Sequence, residues 1–251
     1  MATDNYQRFA NLSYDDFRRM ATDASLSPHE KIGFPDHYRA GKTVSIFNDI
    51  LQKLSLLNDQ NKIILDVGPG CSELAFQLIS HCQDRSHQLH LVDSAEMLAQ
   101  LPDEAQLHKW PAYYPDCPAL FEQYTGKVDV LLTYSVFHYI FTESNIWRFI
   151  DQSLALLAPG GQMLIGDIPN ISKRKRFFAS AAGTKFHQAF TGRDELPEVA
   201  FNIPEPDQID DAVIMAILQR VRAAGCDAYV LPQHTDLPMA NRREDILITK
   251  P

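Results

Sequence analysis

The chain has 251 residues, 45% hydrophobic and 22% charged, enough to bury a sizeable core in one large or two small domains. Lysine and arginine total 23 against 32 aspartates and glutamates, a net charge of -9 that leaves no dominant basic footprint and disfavours nucleic acid as a partner. Four scattered cysteines, Cys71, Cys82, Cys117 and Cys226, show neither Cys-x-x-Cys pairs nor zinc-ligand spacing, so neither a disulfide-stapled scaffold nor a metal site is expected.

The first ten residues carry no apolar stretch behind a basic start, and no run approaches the ~20 apolar residues of a membrane span. The expectation is a cytoplasmic protein with no membrane attachment. Residues 1–60 read as an N-terminal helical segment. Ser13 precedes Asp15, Asp16, Phe17 and Met20 as an N-cap would. His29, Lys31, Phe34, His37, Tyr38 and Arg39 form a polar-aromatic cluster that reads equally as a lid or as a loop packed on the core. Val44, Phe47, Ile50, Leu51, Leu54 and Leu57 then recur at helical spacing.

Residues 61–251 read as the main domain, in which strands and helices alternate. Strands are expected at 62–67, 88–93, 107–110 (weak), 128–134 and 162–167, and helices at 73–80, 95–101 and 146–157, with Pro159-Gly160-Gly161 as a turn. An insertion at 168–207 breaks the rhythm over the carboxyl edge of the sheet. It holds Lys173-Arg174-Lys175-Arg176, then Phe177, Phe178, Phe186 and Phe190, then Pro204 and Pro206. A helix at 209–224 ends at Gly225, and strands at 228–231 and 245–249 pair as an antiparallel hairpin that Arg242-Arg243-Glu244 closes. The fold class is therefore α/β, a doubly wound sheet.

The sharpest local signal is Asp66-Val67-Gly68-Pro69-Gly70-Cys71-Ser72-Glu73, a buried strand running into a glycine turn and a helix. Asp93 ends the next strand, where a carboxylate can accept hydrogen bonds from both hydroxyls of a ribose. The plainer reading is a simple strand-to-helix turn with Asp93 capping the following helix. A dinucleotide fingerprint needs glycine where Glu73 stands, and a carboxylate there repels a diphosphate. That disfavours an NAD-dependent oxidoreductase. Asp66 suits a cationic or amino-bearing ligand.

Taken with Leu91-Val92-Asp93, the stretch 128–139, Leu156-Leu157-Ala158-Pro159-Gly160-Gly161 and the closing strands, the sequence resembles the class I S-adenosylmethionine-dependent methyltransferases. The resemblance implies a Rossmann-like seven-stranded sheet in the order 3-2-1-4-5-7-6 with strand 7 antiparallel, and S-adenosylmethionine as cofactor. It places Gly68 and Gly70 along the methionine and ribose, Asp66 near the amino group, Asp93 on the ribose hydroxyls and Ser94 beside the adenine. Thr133, Tyr134 and Ser135 would flank the methyl donor. Ser72 replaces a third glycine often found in the family. Lys109-Trp110 replaces its Gly-Asp pair, which leaves the adenine to Trp110 or to backbone groups.

On the acceptor side, His138 reads as a general base or as a packing residue, and Tyr134, Tyr139 and Asp167 stand at strand ends facing the expected pocket. The basic run at 173–176 reads as a seat for a phosphate or carboxylate or as a solvated face, and the nearby phenylalanines as core or as a homodimer surface. Tyr134-Ser135-Val136-Phe137 is not the Asn/Asp-Pro-Pro-aromatic motif of nucleic-acid methylation. The expected function is methyl transfer to oxygen or nitrogen of a small polar metabolite, such as a sugar or polysaccharide precursor. A non-catalytic cofactor-binding or regulatory protein on the same fold is the alternative.

Overall fold

The computed structural model describes residues 9, 12–203 and 205–251, with the side chain of His37 outside that set. The leader reading of residues 1–10 falls almost wholly outside the described residues, as does Pro204. Seven strands, β1 (Ile63–Val67), β2 (Gln88–Asp93), β3 (Leu107–Pro111), β4 (Val128–Tyr134), β5 (Leu157–Pro169), β6 (Asp227–Pro232) and β7 (Arg243–Thr249), form one sheet. Their order is β3-β2-β1-β4-β5-β7-β6, with β7 antiparallel to both β5 and β6 and every other pairing parallel. The expected topology is the observed one. Strand order reverses between β1 and β4, the switch point where sheets of this type open a crevice.

Alternation along β1 divides the core between the two faces of the sheet. Leu65 and Val67 join Leu131, Phe149 and Ile217 on one face, while Ile64 joins Ile50, Leu78, Leu89 and Leu132 on the other. The second face is covered by α4 (Thr43–Lys53) and α5 (Glu73–Asp84). Helix α5 buries Ala75, Leu78, Ile79 and Cys82, the spacing of one helical stripe. Of these, Leu78 and Ile79 each contribute about 1.5–3 kcal/mol on full burial.

Ahead of these lie α1 (Tyr14–Thr22), α2 (Pro28–Lys31) and α3 (Asp36–Arg39). Capping boxes start the first two: Ser13 with Asp16, and Ser27 with Glu30. Helix α1 docks on α6 (Ala95–Leu98), where Arg18 meets Glu96 at 2.8 Å. Helices α7 (Pro118–Tyr124) and α8 (Phe137–Glu143) were not expected from the sequence; α9 (Ile146–Leu156) was.

Two local expectations are corrected. Pro159-Gly160-Gly161 lies within β5, because Gly160 N–H donates to the Lys250 carbonyl at 2.8 Å and Lys250 N–H to that of Gly161 at 2.9 Å. Arg243 and Glu244 belong to β7, with Arg243 in register with Pro169, rather than closing the hairpin. The insertion forms α10 (Ile171–Phe178) and α11 (Ala181–Thr191), and α12 (Asp211–Ala223) follows it. Gly183 lets the two insertion helices meet, since a Cβ there would fall 2.0 Å from the Phe177 carbonyl oxygen. Among the described residues no helix is long and apolar enough to cross a membrane.

Candidate active site

The carboxyl ends of β1, β2 and β4 open into a cleft of about 960 Å³, counting the part that opens to solvent. Its floor is the glycine turn. Gly68 and Gly70 have φ of +74° and +63°, and a Cβ on either would stand 2.6 Å from a side-chain methyl, that of Val136 or of Ile32. Only glycine satisfies both the left-handed backbone and the close approach.

Asp93 stands beside this turn at the end of β2. Its Oδ2 accepts Gly70 N–H at 3.0 Å and its Oδ1 accepts Ser94 N–H at 2.7 Å. An ionised carboxylate has about four acceptor positions, so each oxygen keeps one for a ligand. Burial pushes its pKa up to about 6 against the pull of those two N–H groups, leaving it mostly ionised at neutral pH.

Asp66 is buried and faces a small adjoining hollow lined by Phe47, Ile50, Leu78 and Tyr134, which shares Gly68 and Pro69 with the main cleft. Burial, reinforced by the nearby Asp93 charge, raises its pKa to about 8. The carboxyl is therefore protonated at neutral pH until a cation enters.

At the ends of β4 and β5 a buried ionic cluster closes the cleft. Arg39 Nη2 donates to Asp167 Oδ2 at 2.8 Å and to Ser135 Oγ. Arg243 Nη1 donates to the same Oδ2 at 2.6 Å and to the Asp167 carbonyl at 3.0 Å, and Gln233 Nε2 donates to Oδ1 at 3.2 Å. Burial works to raise the Asp167 carboxyl, but the two guanidiniums, Ser135 and Gln233 outweigh it and hold it below the ordinary value. Arg39 lies over the Phe34 ring at 3.9 Å, lines the cleft, and keeps a buried Nε without a hydrogen-bond partner. That orphaned donor suits an anionic ligand group.

Of the residues expected at the site, Gly68, Gly70, Asp93, Tyr134 and Ser135 line the cleft, and Asp66 borders it. Ser94 does not line it: its hydroxyl caps α6 by accepting Met97 N–H at 3.2 Å, and its backbone steadies Asp93. Thr133 is fully buried with an unpartnered hydroxyl. Trp110 is turned away from the cleft. It pairs with Val92 in the ladder and donates from Nε1 to His90 Nδ1 at 3.0 Å, within a group of rings formed by His90, His108 and Tyr124.

His138 also stays out of the cleft, with its ring 3.9 Å from that of Tyr139. Burial, aided by the Arg243 charge, takes its pKa down to about 3, too low to hold a proton drawn from a substrate at neutral pH. Burial raises the Tyr134 phenol far above its ordinary value and that of Tyr139 to about 12, so both remain protonated.

Sequence reasoning gave Arg243 only a part in the hairpin, and it did not single out Tyr14, Met97, Ala112 and Tyr113, which line the cleft with Asp93. The cluster before the core was the signal for Phe34 and Arg39, which line the cleft together with Ile32, a residue the cluster did not include. Most of the basic run is engaged: Lys175 pairs with Glu205, Arg176 with Asp211, and Lys173 donates to the Arg243 carbonyl. Among the described residues no group of histidine, cysteine or carboxylate side chains is placed to hold a metal ion.

No family model matches the sequence, and no curated protein does. Solved structures do match. The plantazolicin methyltransferase BpumL, in complex with SAH, aligns at 12% identity and TM-score 0.57 over 99% of this chain and 98% of that one. A SAM-dependent methyltransferase from Aquifex aeolicus aligns at 14% identity and TM-score 0.54 over 89% and 98%. The CurJ carbon methyltransferase aligns at 14% and 0.54 over 93% of this chain, which spans 63% of that one. At these identities the likeness establishes the fold. It is the class I S-adenosylmethionine-dependent methyltransferase fold.

Proposed function

We propose that the protein transfers a methyl group from S-adenosylmethionine to oxygen or nitrogen of a small polar metabolite, with a sugar or polysaccharide precursor the favoured class. The observation that carries this reading is Asp93: an ionised carboxylate, fixed by two backbone N–H groups and with one acceptor position left on each oxygen, at the rim of a glycine-floored cleft. That arrangement fits a vicinal diol. The other groups fit the remainder of the cofactor. Asp66 would take the amino group, the open donor of Arg39 the carboxylate, and the apolar surfaces of Met97, Ala112 and Tyr113 the base.

When bound, the cofactor supplies a methyl group already activated on a sulfonium. The protein therefore needs mainly to align the acceptor and exclude water. Phe17, Phe34, Tyr134, Val136 and Tyr139 wall the cleft between Asp93 and Arg39 with largely apolar surface.

Incubation with methyl-labelled S-adenosylmethionine and a mixture of free and phosphorylated sugars tests the reading. Label should enter the small-molecule fraction, and less so with Asp93→Ala. Binding of the cofactor with no label transferred to any metabolite pool would favour the non-catalytic alternative.

A further inference from the structure

Two segments run side by side where the cleft ends, and each presents one residue inward and one outward. Arg39 and Arg243 turn in and share Asp167. Their chain neighbours, Tyr38 and Arg242, are hydrogen-bonded to each other. Arg242 lies over the rings of Phe178 and Phe186, 6.0 and 5.7 Å from their centroids, and Arg174 of α10 lies over the same Phe178 ring at 5.2 Å.

The carboxylates nearby are occupied. Asp167 serves Arg39 and Arg243, Asp211 pairs with Arg176, Glu205 with Lys175, and Glu244 accepts from Asn170 at 2.6 Å. Arg242 donates only to uncharged groups, Tyr38 and Asn241, and no carboxylate pairs with Arg174 or Arg242 among the described residues. Two guanidiniums, the exposed Arg174 and the half-buried Arg242, therefore converge on one ring with no carboxylate paired to either among the described residues, in a chain of net charge -9. Burial depresses the pKa of Arg242; Tyr38 opposes that shift, and the charges of Arg243 and Arg174 add to it. An anion is the missing counterpart, and paired guanidiniums favour phosphate oxygens. Beside them the stacked rings of Phe186 and Phe190, 41% and 60% exposed, offer an apolar platform to the organic part of such a ligand.

We propose that Arg174 and Arg242, framed by Phe178 and Phe186, form a phosphate-binding site that holds a phosphorylated methyl acceptor against the wall of the transfer cleft. The phosphate recognition stands by itself; the acceptor role rests on the methyltransferase reading.

Calorimetric titration of the full chain with inorganic pyrophosphate tests the site, with glucose 1-phosphate and uridine diphosphate as separate arms and S-adenosylhomocysteine titrated into the same samples. Wild type should bind pyrophosphate, and Arg174→Gln with Arg242→Gln should lose at least about tenfold in affinity. S-adenosylhomocysteine binding should be unchanged by those substitutions. Arg242→Lys, which keeps the charge and removes the planar fork, should fall between the two and controls for misfolding. Tighter binding of one organic arm over the other would identify a sugar phosphate or a nucleotide-linked acceptor. Equal pyrophosphate affinity in wild type and the double variant would overturn the proposal. Failure of S-adenosylhomocysteine alone to bind would remove the methyltransferase reading and leave the anion site standing.

Discussion

Ser135, which follows β4, and Asp167, which lies in β5 where its register with β7 shifts, both hold left-handed backbones, φ +63° and +60°, and the serine hydroxyl donates to the aspartate carboxylate. Such a conformation costs a non-glycine residue about 1–2 kcal/mol. The surrounding bonds from Arg39, Arg243 and Gln233 hold the pair in place. Ser135→Ala should lose the hydrogen bond and keep the strain, whereas Ser135→Gly loses the bond and relieves the strain. The glycine variant should be the more stable by about 1 kcal/mol in urea unfolding.

Asp167→Asn should be far more damaging. It keeps the shape and leaves two buried guanidiniums without their shared counter-charge, at a cost of about 3–5 kcal/mol. Chemical denaturation at pH 7 measures it. Because the folded pKa of Asp167 lies below its unfolded value, the wild-type advantage is complete above the unfolded value and fades as pH falls through the folded one.

Gly68→Ala meets two obstacles, the backbone and Val136. Adding Val136→Ala removes only the second. The double variant should recover part of the stability lost by Gly68→Ala, leaving about 1–2 kcal/mol of backbone strain. A thermal melt of the four proteins in the cycle reads this directly.

Asp66 makes stability fall as pH rises. With a folded pKa near 8 and an unfolded value of about 4, the folded protein keeps a proton that the unfolded chain has released throughout that window. Asp66→Asn should therefore gain on wild type from pH 5 to pH 8, by on the order of a few kcal/mol. A ligand ammonium beside Asp66 would drive that proton off. Cofactor binding at pH 7 should then release up to one proton, visible as a buffer-dependent binding enthalpy.

The sheet was legible because strands covered on both faces appear as short apolar runs, and the turn at Gly68 and Gly70 with Asp93 because those residues are set by adjacent strand ends. The ionic cluster was not. Arg39 and Arg243 stand 128 and 76 residues from Asp167, and only the folded chain makes them neighbours. Trp110 was misplaced for a different reason. In β3 the tryptophan shares its face with His108, and its ring is taken up by His90 and Tyr124, which hold it away from the cleft that its ladder partner Val92 lines. His138 followed the same course, since its closeness in sequence to Tyr134 gave no sign that α8 would begin at Phe137 and turn the ring out of the cleft.

Calorimetric titration with S-adenosylhomocysteine, comparing wild type and Asp93→Ala between pH 5 and 8, tests the central claim most directly. Wild type should bind at one site per chain, with affinity falling below about pH 6 as Asp93 takes up a proton. The variant should bind about a hundredfold more weakly, the loss expected for two charge-assisted hydrogen bonds. Equal affinity in the two proteins, or no binding to wild type at any pH in that range, would contradict the account.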